Sequence, residues 1–330
     1  GSSMYSIGID ISKATINVYI PINDSDIVIN NDLKSVKSLY SKLKKYYKKE
    51  TEKLIFVFEP TGSYSFLLKK FCSQKEIKSF IVNPKKSSNF AKAIGLRNKN
   101  DELDARMLSQ MIITARESEV KVPIIDETAE EIKDLIVYYK LLTKQKTQNK
   151  NQLEAINTKD GSSIVIKNLK QEIKLLIKKE KDILLEIKKI IAKDEKLHNA
   201  FLNIQTIKSV GEISAIVLLH HFIQYPNANQ KQIVSLVGLD PTLKESGTSV
   251  RGKSKVSKSG SKLCRGVLFM AVLNAVRNNE ELKSFYNRLK DNGKHTTVAQ
   301  IAVMRKIVVL AFSIYKNNEV YDEERFVNFF

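Results

Sequence analysis

The stretch Leu54-Ile55-Phe56-Val57-Phe58-Glu59-Pro60-Thr61-Gly62 decides how the first third of this chain is read. Five apolar residues run without alternation and are rich in aromatic and β-branched side chains. Both faces of such a segment have to be covered, which is the mark of a central strand in a sheet flanked by helices. Pro60 and Gly62 then break the strand and leave Glu59 at its tip.

Working outward, the neighbours agree. Tyr5 to Ile9 reads as a short apolar strand, Thr15 to Ile20 as an alternating one, and Asp26 to Asn30 as a third. Leu33 to Lys49 has helical spacing through Leu33, Val36, Leu39, Leu43 and Tyr46. After Gly62, the expectation is a helix over Ser65 to Ser73 and a strand over Ser79 to Val82 that stops at Asn83-Pro84. Two helices follow, near Ser87 to Ile94 and Glu102 to Ala115. Residues 4–125 therefore read as one mixed α/β domain.

β signals stop after Pro123. Ile132, Leu135, Tyr139 and Leu142 step by three and four, and the same step continues through two polar positions, Lys146 and Asn149, to Leu153 and Ile156. After a turn at Asn157 to Ser163, a second run from Ile166 to Ile190 is interrupted only at Glu180. Residues 126–195 thus predict a helical hairpin with coiled-coil packing. Its seams can pair with each other or with another chain. Some use in oligomerisation is expected, since so long a hairpin has little else to bury against. Residues 196–330 read as mostly helical around a polar loop, Pro241 to Gly260. The fold class is α/β plus all-α.

The charge narrows the partner. The 330 residues carry 55 Lys and Arg against 36 Asp and Glu, a net charge of +19, with 42% hydrophobic residues. That is too apolar for a disordered basic tail and points to a polyanion. Nucleic acid ranks ahead of an anionic membrane, because the longest apolar run, Ile307 to Ile314, is far short of the ~20 residues of a spanning helix. No signal peptide is read, and Gly1-Ser2-Ser3 before Met4 reads as a cloning scar. Cys72 and Cys264 stand alone, and with four scattered histidines they give no zinc spacing. A reducing, cytoplasmic setting follows, with both cysteines in cores. His220 and His221 lie in an apolar helix and are assigned no chemistry.

Four acids stand at suggestive places. Asp10 follows the first strand, Glu59 follows the central one, and Asp101 and Asp104 are expected to open a helix and share one of its faces. Each has a plain structural use, as a cap or a solvated strand end. Together, on so basic a chain, they suit a hard divalent ion, Mg²⁺ or Mn²⁺, acting on a phosphodiester. No GxxxxGK[ST] loop points to a kinase-like alternative. In the last segment, Lys244 to Arg265 sets seven basic residues against Glu245 alone, among serines and glycines. Such a loop suits phosphate contact, and a serine in it can also be a nucleophile. Composition does not choose among Ser246, Ser249, Ser254, Ser257, Ser259 and Ser261.

Several motifs occur in a familiar order: Gly8-Ile9-Asp10, Glu59-Pro60-Thr61-Gly62, Asn83-Pro84 and Asn100-Asp101-Glu102-Leu103-Asp104-Ala105-Arg106. Glu245-Ser246-Gly247-Thr248-Ser249 and Ser257-Lys258-Ser259-Gly260 follow. The set resembles the DEDD insertion-sequence transposases, which include the bridge-RNA-guided recombinases. The resemblance implies a RuvC-like domain of ribonuclease H fold, a coiled-coil hairpin and a helical transposase domain. It implies Asp10, Glu59, Asp101 and Asp104 as the metal-holding tetrad and Ser246 as nucleophile. Arg251, Lys253 and Lys258 are assigned to backbone phosphates. It also implies donor and target DNA, a structured noncoding bridge RNA, and a tetramer built as a dimer of dimers, with no membrane. Ile207-Lys208-Ser209-Val210-Gly211 is similar to the family's helix–hairpin–helix element, with Lys208-Ser209 where Pro-Gly is usual and Gly211 left to make the tight turn. Two rivals stand beside this reading: a junction-resolving metal nuclease in which water attacks, and a non-catalytic nucleic-acid-binding protein.

Overall fold

The computed structural model describes residues 4–96, 103–239 and 262–326. The chain divides into two compact units, Gly1–Ile125 and Asp126–Phe330.

The first unit is built on a six-stranded sheet. Its strands are β1 (Tyr5–Ile11), β2 (Thr15–Ile20), β3 (Ser25–Asn30), β4 (Leu54–Phe58), β5 (Lys78–Ile81) and β6 (Val120–Lys121), in the order β3-β2-β1-β4-β5-β6. β1, β4 and β5 are parallel, and the outer pairings are antiparallel. Helices α1 (Leu33–Tyr47) and α2 (Phe66–Gln74) cover one face, packing Val36, Leu39, Leu43 and Phe71 on Ile7, Ile9, Phe56 and Phe58. Helices α3 (Pro84–Ala93) and α4 (Ala105–Gln110) lie on the other face, against Ile55, Val57 and Phe80. Every residue of β4 is buried, as its unbroken apolar run requires.

Three expectations need correction. β1 runs on to Ile11, so Asp10 lies within the strand rather than after it. Helix α4 starts at Ala105, not Glu102. Asp104 has extended backbone (φ −76°, ψ 174°), and its carboxylate accepts a hydrogen bond from the Met107 amide. A capping residue stands outside the helical spiral, so Asp104 cannot share a helix face with a residue three before it. Asp101 itself lies outside the described residues. The short edge strand β6, which pairs with β5, was not expected; two residues leave no periodicity to read.

The second unit is helical. The hairpin is α5 (Glu127–Thr158) and α6 (Ser163–Ala192). Then come α7 (Glu195–Gln205), α8 (Glu212–Gln224), α9 (Gln230–Val237), α10 (Lys262–Asn278), α11 (Glu280–Asp291), α12 (Thr296–Asn317) and α13 (Glu323–Phe326). The two hairpin seams face each other, and their polar interruptions meet. Lys146 pairs with buried Glu180 at 2.6 Å, the Thr143 hydroxyl donates to the same carboxylate at 2.7 Å, and Asn149 donates to Glu172 at 3.0 Å. At the hairpin's base, Ile132, Ile136, Ile187 and Ile191 join one core with Phe201, Leu218, Leu268 and Ile307. The hairpin therefore has more to bury against than its length suggested. Among the described residues, α12 has the length and apolar content to cross a membrane, a longer stretch than the run Ile307 to Ile314 implied. Val303, Ile307, Val308 and Leu310 on it are fully buried in the unit's core.

Candidate active site

Side chains alternate across a strand, and that parity sorts the acids. Ile7, Ile9 and Ile11 of β1 belong to the core under α1 and α2, so Gly8 and Asp10 face the α3/α4 side. On β4, Phe56 and Phe58 share that same core, while Ile55 and Val57 face α3 and α4, as does the next position in parity, Glu59. The two strands are parallel, with Gly8 opposite Val57 and Ile9 opposite Phe58. One further step sets Asp10 beside Glu59 where both strands reach their C-terminal ends. Both are half-buried.

Gly8 seats the third acid. A Cβ there would overlap the carbonyl oxygen of Ala105, so the first turn of α4 rests directly on β1. Asp104, one residue before Ala105, is thereby brought to the strand face that carries Asp10. Arg106 holds α4 from the other side: it donates to Asp24 at 2.7 Å and stacks 5.1 Å over the Tyr19 ring. The Tyr19 hydroxyl donates to the same Asp24 oxygen at 2.6 Å, and this bond pushes the Tyr19 pKa up.

The loops that follow the two acid-bearing strands are clamped together by Asn31. Its side-chain amide donates to the Ser12 carbonyl at 2.9 Å and to the Tyr64 carbonyl at 3.0 Å. Sequence reasoning missed this residue, because nothing near Asn31 in the chain marks it. Thr61 Oγ1 and Asn31 Oδ1 are both buried without a hydrogen-bond partner.

The donor set, three carboxylates on a protein of this charge, suits Mg²⁺ or Mn²⁺ rather than a soft metal. Among the described residues, however, no group of three or more His, Cys, Asp or Glu side chains is close enough to hold an ion. Asp104 Oδ1 is engaged by the Met107 amide at 2.8 Å, and Asp101 is outside the described residues. Ser246, Arg251, Lys253 and Lys258 also lie outside them. Of the segment's basic residues, Lys262 and Arg265 are described; Lys262 is exposed at the start of α10, and Arg265 is tied down. Its guanidinium donates to the Val237 carbonyl at 3.0 Å, and burial lowers its pKa, so it serves the fold.

The α7–α8 turn corrects a detail. Ser209, not Gly211, takes the left-handed conformation (φ 86°), while Gly211 is the N-cap of α8. Asn279 donates to the Lys208 carbonyl at 2.9 Å and holds the turn in place. His220 and His221 are buried; His221 Nε2 lies 3.0 Å from the Ile233 carbonyl oxygen. Cys72 and Cys264 are buried thiols, and loss of solvation pushes the pKa of each up to about 12.

Two family models match the chain. A transposase model of the DEDD, IS110 type covers residues 7–157, and the model of the IS116/IS110/IS902 transposase family covers residues 202–287. The chain is similar to the pilin gene-inverting protein of Moraxella bovis, 26% identical over 96% of this chain and 97% of that one. The protein of the same name from Moraxella lacunata is also 26% identical, with the same coverage. An IS110 element protein of Streptomyces coelicolor is 25% identical over 36% of this chain and 29% of its own.

Proposed function

Since the chain belongs to the IS110 family of DEDD transposases, whose activity is the cutting of DNA, we propose that it is a bridge-RNA-guided recombinase that cuts and rejoins strands through a phosphoserine. The observation that carries this reading is the pairing of Asp10 with Glu59 at the ends of two parallel strands, on the face to which Gly8 admits α4 and Asp104. In a RuvC-like domain this is where a metal-holding tetrad belongs.

Asp10, Glu59, Asp101 and Asp104 would hold Mg²⁺ or Mn²⁺, which when bound offsets charge developing on the scissile phosphate. The Asn31 clamp keeps the loops after β1 and β4 at one spacing. Ser246 Oγ gives up its proton and bonds to phosphorus. The bond from phosphorus to the 3′ oxygen breaks, and that oxygen leaves as a hydroxyl. A 3′-hydroxyl of the exchanged strand then attacks the phosphoserine and releases Ser246. Arg251, Lys253 and Lys258 neutralise the strands being held. The reading also takes the protein to act as a tetramer, a dimer of dimers, on donor and target DNA. A cytoplasmic setting in a prokaryotic cell fits these partners.

The test begins with gentle purification and sequencing of the bound nucleic acid. A discrete RNA from the flank of the coding sequence is expected, and its absence removes the guided part of the reading. With that RNA, DNA and Mg²⁺, wild type should form covalent protein–DNA adducts, while Ser246→Ala and Asp10→Asn should form none. Cutting by Ser246→Ala would mean that water attacks, as in a junction-resolving nuclease. DNA processing unchanged in Asp10→Asn would mean that these acids are structural.

A further inference from the structure

The charge of the first unit is not spread evenly. Residues 33–49, which are α1 and its exit, contain no Asp or Glu. The helix turns Val36, Leu39, Leu43 and Tyr47 into the core, rests Tyr40 on Phe71 and leaves the opposite side to solvent. Lys34, Lys37, Lys42 and Lys45 occupy that outer side, with Ser38 and Ser41 between them, and Lys48 and Lys49 continue it past the last turn. All are exposed, and none takes part in a salt bridge among the described residues, whereas Lys53 just beyond is paired with Glu50. Elsewhere in the unit, Lys86 and Arg106 are likewise tied to carboxylates. Like charges repeated on one helix repel each other, so leaving them unpaired costs stability that an incoming anion would restore.

We propose that the outer face of α1 is a second DNA-binding surface, which holds the phosphate backbone of a duplex on the side of the sheet opposite the carboxylates. This rests on the reading of the protein as a DNA-processing enzyme. Three features select the occupant. A 15-residue helix is about 22 Å long, and along that length a duplex presents about a dozen phosphates. The cations are lysines, point charges that hold a backbone without the bidentate fork that reads bases. Charge outweighs stacking on this face: the Tyr40 ring is covered by the Lys44 ammonium at 4.5 Å, which leaves Tyr46, 36% exposed, as a single aromatic on the helix beside the run of lysines, too little for the successive stacking a single strand uses. Because α1 and α4 lie on opposite faces of the sheet, DNA on α1 is not the segment being cut but one alongside it.

The test compares two full-length variants of equal charge. One combines Lys34→Gln, Lys37→Gln, Lys42→Gln and Lys45→Gln on α1. The other combines Lys167→Gln, Lys170→Gln, Lys174→Gln and Lys181→Gln, exposed positions of α6. Binding to a labelled duplex of ~30 base pairs is followed by anisotropy over a salt series. The α1 variant should lose tenfold or more in affinity near 0.1 M salt, and its log–log salt slope should be shallower by about 3 to 4. The α6 variant should stay close to wild type. Equal losses in both variants would reduce the effect to net charge and overturn the proposal. So would a selective loss of binding to duplex RNA, or to phosphatidylcholine vesicles containing phosphatidylserine, with DNA binding intact. Both variants should melt no lower than wild type by circular dichroism; if the α1 set melts lower, Lys37→Gln with Lys45→Gln, read for about half the slope change, decides. The Asp10→Asn protein should bind as wild type does, so a failure of the catalytic reading shows in cutting and a failure of this one in binding.

Discussion

Gly8 does more for the candidate site than any charged residue near it. The absence of a side chain at this one position of β1 lets the Ala105 carbonyl rest on the strand, and with it comes Asp104. Gly8→Ala must push α4 off the sheet, because its new methyl group meets backbone rather than the flexible end of a side chain. We expect a loss of roughly 3 kcal/mol or more in urea unfolding of the first unit, at the high end for a single substitution. DNA cutting should fall further than that loss explains, because Asp104 moves relative to Asp10. Unchanged unfolding would show that α4 is not seated on Gly8. The sequence marks the acids by type, but not Asn31 or Gly8 by role. Asn31 acts through carbonyls of Ser12 and Tyr64 that only the fold brings to it.

At the scale of elements, the hairpin shows how a break in a pattern can be its most specific feature. Lys146 and Glu180 each interrupt an apolar seam, and in the folded hairpin they find each other. An apolar seam alone tolerates sliding by a heptad, whereas a buried ion pair is satisfied in one register only. Lys146→Ala leaves the Glu180 carboxylate buried with Thr143 as its remaining partner, and is expected to cost about 3 kcal/mol. Lys146→Leu combined with Glu180→Leu should come within about 1 kcal/mol of wild type, because removing both charges leaves nothing unpaired. A double variant as unstable as the single one, in thermal or urea unfolding, would deny the pair this role. Most of the hairpin was legible, since period and turn lie within one stretch of chain. The start of α4 was not, because a capping acid and a helical acid look alike in sequence.

Across the whole molecule, the two units differ in how they meet acid. All four histidines belong to the second unit. Burial, helped by the Lys133 charge, lowers the His220 pKa to about 4, and burial lowers that of His221 as well. A histidine held neutral in the fold but free to protonate when unfolded stabilises fully above its unfolded pKa of about 6.5. That contribution is lost as pH falls from there toward 4. For His220 alone the loss is on the order of 3 kcal/mol. Each unit also contains one buried thiol, Cys72 in the first and Cys264 in the second. A disulfide reagent that works in acid should therefore label Cys264 faster as pH drops from 6.5 to 4, with Cys72 lagging, and His220→Gln should flatten the response. Equal acceleration at both thiols would place the acid sensitivity elsewhere.

Features that depend on neighbours along the chain were readable before any fold was known. The unbroken run of β4, the alternation of β2, the heptad step of the hairpin and the acids at strand ends are local patterns, and local patterns survive in one dimension. Tertiary structure alone decided what depends on register and contact. It put Asp10 beside Glu59 through parallel pairing, turned Asp104 from a helix residue into a cap above Gly8, matched Lys146 to Glu180 and left the lysines of α1 facing outward. Each joins residues distant in the chain whose meeting is set by burial of the apolar faces between them, and that burial is settled by the packed whole rather than by any segment.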